Sequence, residues 1–333
     1  MKWRAGLVLL ALVTAASAAR PAHAEWWVLE RRPTYFAPII ANVRADEIKV
    51  TFPALAPAVQ YAQKPGNRLV WDISVGQELP IAGYETENTA SAPPTKGNWG
   101  IGFWFPISFH VLEDFKDDSA PPIDTDYRFG GMFKVGVGVS PQHRLGLLVH
   151  VGHESTHLGD EFTLHARQAD GAAFRRINVS YQFVNVGIEW QCEHDLLKLR
   201  FQAGALVVAF TDPNSWYSTT PLEAGNAPIL GSKRNYEPYL RGELVYHEPL
   251  LWGFGPFVSV DVTNRVVFDY DKTAANQRES ARLSVNLLIG GRSMRVGRSQ
   301  DFSLRVYYGV NPFGQFRNNT GFWLLGLGWH FGV

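Results

Sequence analysis

Residues 153–157 read His-Glu-Ser-Thr-His, with two histidines four positions apart and a glutamate directly after the first. On an α-helix this spacing places both imidazoles on one face, where they can ligate one zinc ion with the glutamate as a base. On a β-strand, residues four apart are separated by roughly 13 Å, at about 3.3 Å per residue, which is too far to share one ion. The chemistry open to the motif therefore depends on the element that carries it.

The residues that lead into the motif have the periodicity of a strand. Apolar side chains occupy every second position there: Leu145, Leu147, Val149 and Val151. Gly152 and Gly159 flank the motif, and glycine disfavours a helix across it. The sequence therefore predicts a strand, and a zinc protease is not expected.

The N-terminus predicts a secretory signal peptide over residues 1–24. Lys2 and Arg4 precede a short apolar run, and Ala22-His23-Ala24 supplies the small residues that a signal peptidase requires. The only cysteine, Cys192, is not at the cleavage point, so a lipid anchor is not expected. After the leader, no stretch approaches the ~20 consecutive apolar residues of a membrane helix. An exported soluble protein and a β-barrel are the two classes left.

The composition favours the barrel. Charged residues make up 19% of the chain, below the ~25% typical of soluble domains. Aromatic residues reach 13%, and amphipathic aromatics suit the two interfaces of a membrane. The 31 basic and 31 acidic residues balance, so nothing suggests a nucleic-acid partner, and one cysteine excludes an internal disulfide framework.

Segments of about ten residues repeat one pattern, with an apolar face and a face rich in Gly, Arg and Ser. They are 46–63, 68–76, 100–111, 127–140, 144–157, 176–190, 196–209, 236–246, 256–265, 282–290, 302–310 and 322–331. Short connections alternate with long polar ones, which is typical of a transmembrane barrel and not of a soluble sandwich. We therefore predict an all-β fold, a single antiparallel β-barrel in the outer membrane of a Gram-negative bacterium.

The strand count is twelve, with ten as the alternative. Pro53 and Pro57 make 46–63 a poor strand, yet parity requires it if both ends of the barrel chain lie in the periplasm. A phase slip near Phe183 predicts a bulge in the strand 176–190. The barrel is expected over 46–333, and 25–45 is expected to cap or plug its periplasmic side.

On such a strand the histidine motif acquires a different chemistry. His153, Ser155 and His157 continue the lipid-facing series, and residues two apart have Cα atoms roughly 6.6 Å apart. A histidine at that distance can activate a serine, which makes Ser155 a candidate nucleophile and His153 its base. Asp160 follows the strand and could fold back, whereas the expected β-hairpin places Phe129 opposite Ser155 and Tyr127 opposite His157, and neither orients an imidazole.

The short motif His153-x-Ser155 resembles that of two outer-membrane lipid hydrolase families, phospholipase A and lipid A 3-O-deacylase. Both follow the serine with Asn, where this chain has Thr156. The resemblance implies hydrolysis of an ester in phospholipid or lipopolysaccharide. Two other interpretations stay open: the polar residues simply mark where the strand leaves the hydrocarbon, or they belong to a metal site.

Three longer blocks resemble one uncharacterised bacterial family, domain of unknown function 1207. The blocks are His153-x-Ser155-x-His157-Leu158-Gly159-Asp160-Glu161-Phe162, Arg176-Ile177-Asn178-Val179-Ser180-Tyr181 and Tyr307-Tyr308-Gly309-x-x-Pro312-x-Gly314-Gln315-Phe316. The similarity runs from about residue 35 to the C-terminus. It implies a barrel and no established activity.

Other candidates concern ions, pores and partners. No cofactor is predicted, but a divalent cation could bind His150, Glu154 and Asp160, or the acidic segment formed by Asp114, Asp117, Asp118, Asp124 and Asp126. Charged residues on the inward face are expected to pair across a narrow lumen: Asp72, Lys134, Arg200, Arg241, Glu243, Asp261, Arg282 and Arg305. A narrow pore is one alternative function, and a structural barrel whose outer loops, including 311–316, contact lipopolysaccharide is another. Outer-membrane lipid and the barrel-assembly machinery are the expected partners.

Overall fold

The computed structural model describes residues 25–29, 38–45, 47–57, 67–86, 97–115, 122–159, 179–211, 236–250, 253–269, 278–293, 299–314 and 321–332. These ranges contain thirteen strands: β1 (Glu25–Val28), β2 (Ile48–Pro57), β3 (Asn67–Glu85), β4 (Trp99–Asp114), β5 (Pro122–Gly138), β6 (His143–Leu158), β7 (Val179–Glu193), β8 (Leu197–Thr211), β9 (Tyr236–Tyr246), β10 (Phe254–Asp269), β11 (Arg278–Ser293), β12 (Ser299–Gly309) and β13 (Phe322–Gly332). Within the described ranges, no helix is long and apolar enough to span a membrane. The predicted signal peptide, 1–24, lies outside the described residues.

Strands β2 to β13 form a closed antiparallel barrel of twelve strands. Each strand pairs with the next along the chain, and β13 pairs with β2 to close the ring. Pro53 lies inside a register shift of β2 between Thr51 and Ala54, where its missing N–H interrupts no regular ladder. The predicted fold class is confirmed, and the count is twelve, not ten.

The two faces of the barrel differ as a hydrocarbon exterior requires. Large apolar side chains are exposed on the outside of successive strands, among them Val75, Ile101, Phe133, Val151, Ile188, Phe201, Leu240, Ile289, Leu304 and Leu327. Charged side chains are buried inside, and ion pairs join Arg305 to Asp72, Arg200 to Glu243, Arg241 to Asp261 and Lys134 to Glu78. Because one face of every strand is apolar, this exterior suits lipid rather than water.

Arg282 departs from the predicted set of inward charges. Its side chain is exposed, whereas the other seven are buried or nearly so. β11 begins at Arg278 but pairs with β12 only from Val285 onward. Arg282 therefore stands on a part of β11 that extends beyond β12, where no crowded lumen surrounds it.

Strand β7 keeps one face inward along its described length, so the predicted phase slip is wrong. Tyr181 and Phe183 both point inside and are 0% exposed. Arg128 lies over the Phe183 ring, with its guanidinium carbon 4.3 Å from the ring centroid. An irregularity does occur at the predicted place, as a register shift between Gln182 and Phe183 in the pairing with β8, but it does not turn β7 over. Ser180 and Gln182 consequently face outward.

The segment 38–45 lies inside the barrel and runs from Ile39, near the end with the short turns, to Arg44, nearer the end with the long loops. Ile39 and Ile40 pack against the buried side chains of Val245, Phe257 and Leu288. The Ala41 N–H donates to Ser259 Oγ at 3.2 Å, and Asn286 Nδ2 donates to the Ala41 carbonyl at 2.7 Å. Arg44 reaches Glu237 at 2.9 Å. Hydrogen bonds between the backbone of this segment and side chains of the barrel strands thus hold it across the lumen.

The described part of the region before the barrel has a second component, β1. It pairs with the last residues of β3, from Glu25 opposite Glu85 to Val28 opposite Ala82. Trp27 is buried beside Trp104, with ring centroids 5.6 Å apart, while Trp26 is 74% exposed. β1 therefore extends the sheet at the short-turn end and seals part of that end with Trp27.

The segment after β12 enters the barrel at the end with the long loops. Asn311 and Phe313 are 1% and 2% exposed. Arg265 donates to the Asn311 carbonyl at 3.1 Å, and the Gly314 N–H donates to Asp126 at 3.1 Å. Phe313 joins an apolar cluster inside the barrel with Leu112, Phe322 and Leu324. The sequence predicts that 311–316 contact lipopolysaccharide from an outer loop, but residues 311–314 are packed inside the barrel; residues 315–316 lie outside the described residues.

These two interior segments lead to a prediction about conductance. We expect the wild-type barrel to show no current steps in a planar lipid bilayer, because 38–45 and 310–314 both occupy the lumen and meet where Val43 packs against the cluster that contains Phe313. The control is a known open porin in the same bilayer preparation. Regular single-channel steps from the wild-type protein would contradict a closed lumen and favour the narrow pore.

Candidate functional site

The histidine motif lies on a strand throughout, which removes the zinc geometry. β6 covers 143–158, so His153 and His157 both face outward. Glu154 faces inward, is 3% exposed and lies 3.9 Å from Arg44. A glutamate on the opposite face from the histidines cannot act on a metal between them. Among the described residues, no group of three or more His, Cys, Asp or Glu could hold a metal ion.

A group of polar side chains occupies the outward face near the long-loop end of β6 and β7. We call it the exterior polar cluster, and its members are His153, Ser155, His157, Ser180 and Gln182. His153 lies opposite Gln182 and Ser155 lies opposite Ser180 in the antiparallel pairing. Directly opposed residues share a face, with Cβ atoms roughly 4.5–5.5 Å apart. The two strands thus bring two hydroxyls, two imidazoles and one amide together.

Hydrogen bonds in the cluster couple each hydroxyl to an imidazole. Ser155 Oγ lies 3.1 Å from His157 Nε2, and Ser180 Oγ lies 3.4 Å from His153 Nε2. The other nitrogen of His153, Nδ1, lies 3.5 Å from the Gln182 amide nitrogen. The sequence pairs Ser155 with His153, whereas in the described part of the chain the hydrogen bond of Ser155 goes to His157. Asp160, the remaining predicted member, lies outside the described residues.

Aromatic side chains of β5 line the other side of the cluster. The Phe129 ring lies 5.2 Å from His153, and the Tyr127 ring lies 5.8 Å from His157, both between ring centroids. In the backbone register Tyr127 is opposite Ser155 and Phe129 is opposite His153. The predicted register is therefore wrong by two residues, because the turn closes between Val139 and His143. These rings pack against the imidazole rings, whose nitrogens contact side chains of β6 and β7.

Sequence reasoning misses Ser180 and Gln182. Both continue the outward series of β7 that includes Val186 and Ile188, which are 44% and 62% exposed. The available signal is parity: counting back in steps of two from Ile188 reaches Gln182 and Ser180. Tyr181 and Phe183, which alternate with these two residues, are large and aromatic but face the lumen. The apolar pattern of the sequence therefore does not reveal the parity.

The predicted cation candidates are dispersed in the structure. His150 and Glu154 face inward, and Asp114 pairs with Arg68 at 2.5 Å. Asp124 is 0% exposed and accepts a hydrogen bond from Thr156 Oγ1 at 3.2 Å. Asp126 accepts the Gly314 N–H, while residues 117 and 118 lie outside the described residues. The described carboxylates thus serve the packing of the barrel interior.

Comparison with known proteins finds likeness at the level of structure alone. No protein-family model and no curated protein matches the sequence. Outer membrane phospholipase A from Escherichia coli is 10% identical, with 91% of this chain and 94% of that chain covered and a TM-score of 0.43. The β domain of the Bordetella autotransporter BrkA is 11% identical over 86% and 99% of the two chains, with a TM-score of 0.39. The translocator domain of the autotransporter NalP from Neisseria meningitidis is 10% identical over 99% and 96%, with a TM-score of 0.35. Such low identities and TM-scores carry no argument about activity.

Proposed function

We propose that this protein spans the outer membrane of a Gram-negative bacterium and hydrolyses ester bonds of lipids in the outer leaflet. The observation that carries the proposal is the Ser155 Oγ to His157 Nε2 contact of 3.1 Å on the lipid-facing side of the barrel. An imidazole nitrogen at that distance can take the hydroxyl proton, which turns a weak nucleophile into an effective one. The lipids that offer ester bonds at this surface are phospholipid and lipopolysaccharide.

The depth of the cluster suits such a substrate. Along the outward face of β6, Leu145 and Val151 are 44% and 52% exposed and belong to the apolar belt. The polar residues begin two positions later, at His153, and continue to the end of the strand. Polar side chains on a lipid-facing surface cost free energy except near the interface. Ester groups of membrane lipids lie at that same boundary between hydrocarbon and headgroup.

The proposed reaction passes through these two side chains and water. Ser155 Oγ attacks the ester carbonyl carbon while His157 Nε2 accepts the hydroxyl proton. The tetrahedral intermediate collapses, the lipid alcohol leaves with the proton from His157, and the acyl chain stays on Ser155. A water molecule then attacks the acyl carbonyl, gives its proton to His157 and releases the fatty acid. Ser155 recovers its proton from the imidazole.

Removal of the Ser155 hydroxyl tests this proposal. The wild-type barrel in mixed micelles of detergent and diacyl phospholipid should release free fatty acid, measured by mass spectrometry. Ser155→Ala should release clearly less, because the hydroxyl that His157 contacts is gone. Ser140→Ala, in the short turn at the opposite end of β6, is the matched control and should keep the wild-type rate. Equal fatty acid release from wild type and from protein-free micelles would overturn the proposal for phospholipid, and lipopolysaccharide in the same assay covers the second substrate.

The interior of the barrel supports a role on its outer surface. Segments 38–45 and 310–314 occupy the lumen, so transport through it is not favoured. The resemblance to domain of unknown function 1207 agrees with a barrel and leaves its activity open. The exterior polar cluster is the feature that a closed structural barrel does not require, because its five side chains face outward and take no part in the packing of the interior.

A further inference from the structure

We infer that Ser180, His153 and Gln182 form a second catalytic group beside Ser155 and His157, and that the substrate is a lipid with two ester-linked acyl chains. This inference rests on the proposed ester hydrolysis and adds to it a second nucleophile and a substrate class. It follows from three distances in the cluster and from the register of β6 and β7.

The contacts of His153 follow the order that a serine nucleophile requires. Its Nε2 faces a hydroxyl, that of Ser180, at 3.4 Å, and its Nδ1 faces the Gln182 amide at 3.5 Å. In such groups the residue at Nδ1 fixes the tautomer that leaves Nε2 free to accept a proton. As placed, the Gln182 amide nitrogen donates to Nδ1; a half-turn of the amide about its last bond presents the amide oxygen to an Nδ1–H instead, which gives the tautomer with an unprotonated Nε2. Gln182 is thus the positioning residue, His153 the base and Ser180 the nucleophile.

The two hydroxyls are placed side by side. Ser155 and Ser180 are direct partners across the strands, so their Cβ atoms are roughly 4.5–5.5 Å apart. Their imidazoles lie on different sides along β6, since His157 follows Ser155 and His153 precedes it. Each serine therefore has its own base, and neither pair needs the side chains of the other.

A diacyl lipid matches this arrangement. Its two ester groups sit on adjacent carbons of one glycerol, so the two carbonyls lie within a few bonds of each other at nearly the same depth in the leaflet. A lipid docked on the outward face of β6 and β7 would present one carbonyl near Ser155 and the other near Ser180. A substrate with a single ester would use one group and leave the second without a role.

The second group performs a balanced acyl transfer of its own. Ser180 Oγ bonds to the carbonyl carbon of the second ester as its proton passes to His153 Nε2. The bond from that carbon to the glycerol oxygen breaks, and the oxygen takes the proton from His153. Water then attacks the acyl-serine, with its proton passing through His153 to Ser180, and the fatty acid is released. The net reaction consumes one water and cleaves one ester.

A lipid with a different acyl chain on each glycerol carbon tests this inference. We would incubate the full-length barrel with palmitoyl-oleoyl phosphatidylethanolamine in mixed micelles and measure each free fatty acid by mass spectrometry. Wild type should release both chains. Ser155→Ala should lower the release of one chain by about 10²-fold or more, and Ser180→Ala should lower the release of the other by a similar factor. Gln182→Ala should lower kcat for the Ser180-dependent chain alone with KM unchanged, and Gln182→Glu should restore it, because a carboxylate also accepts the Nδ1–H.

The contrary outcomes are distinct. Loss of both chains in Ser155→Ala, with wild-type release in Ser180→Ala, overturns the second group and leaves the proposed function standing. Loss of both chains in Ser180→Ala also overturns the division between two groups. Release of neither chain by the wild-type protein overturns the proposed function itself. Correct folding of each variant is confirmed first by the temperature at which its band shifts on a denaturing gel.

Discussion

A barrel that lacks both hydroxyls, Ser155→Ala with Ser180→Ala, should release fatty acid from diacyl phospholipid at least about 10³-fold more slowly than wild type. Each serine in the exterior polar cluster contacts its own imidazole, so one substitution leaves the other pair intact. With both removed, the two imidazoles have no hydroxyl to activate. Only the binding surface remains, and binding alone accounts for a small part of the rate enhancement in serine hydrolases.

The double variant offers a clean comparison because the barrel should tolerate it. Both serines lie on the outward face and are only partly buried, and the strand pairing of β6 and β7 uses backbone groups. The double variant should therefore unfold at the wild-type temperature, and Ser140→Ala should match wild type in rate. Fatty acid release by the double variant at the wild-type rate would place the activity elsewhere in the molecule.

Alternation of apolar and polar residues predicts the barrel and one half of the site. Because side chains alternate strictly on a strand, the apolar series that ends at Val151 fixes the face of His153, Ser155 and His157. Parity also argues for a strand at 46–63, and so for twelve strands, even though the prolines of β2 conceal that strand. These features depend on local periodicity alone, and periodicity is present in the sequence.

The other half of the site, Ser180 and Gln182, depends on whether the aromatic residues beside them face the lipid or the lumen. Tyr181 and Phe183 read as lipid-facing residues, yet they fill the lumen beneath Arg128. The lumen contains apolar clusters as well as polar side chains, so an apolar residue on a strand cannot simply be assigned to the outer face. The apolar pattern therefore gives no sign that Ser180 and Gln182 face outward, and the pairing of His153 with Ser180 cannot be foreseen.

Register is the second quantity that periodicity does not supply. Shifting the β5–β6 hairpin by two residues preserves every face, so both registers satisfy the same pattern. The turn between Val139 and His143 decides between them, and it places Phe129 opposite His153, whereas the predicted register places Phe129 opposite Ser155. The sequence does not reveal the interior packing of 310–314 either. Val310, Pro312 and Phe313 resemble an ordinary loop in the sequence, whereas in the structure Phe313 packs between Leu112 and Leu324.

The charge at Glu243 should be one of the largest single contributions to the stability of the barrel. Its carboxylate is 2% exposed and lies 3.4 Å from Arg200 and 3.2 Å from Arg292. It also accepts the Ile40 N–H at 3.4 Å, which links the interior segment to the wall. We expect Glu243→Gln to lower the free energy of unfolding by about 3 kcal/mol, because removing one partner leaves buried guanidinium charge less compensated. Urea unfolding in lipid vesicles, followed by tryptophan fluorescence, measures the change.

Glu248→Gln is the matched control for this substitution. Glu248 is exposed in the connection after β9, where its described contact is the Tyr246 hydroxyl at 3.3 Å, and the same change there should cost less than about 0.5 kcal/mol. Arg200 keeps Glu189 at 2.6 Å and Arg292 keeps Asp301 at 2.9 Å, so the loss at Glu243 should stop short of unfolding the barrel. Equal unfolding midpoints for the two variants would show that these remaining carboxylates neutralise both guanidinium groups without Glu243. In that case the hydrogen bond from the Ile40 N–H, and not the ion pairs, would be the contribution of Glu243 to the stability of the barrel.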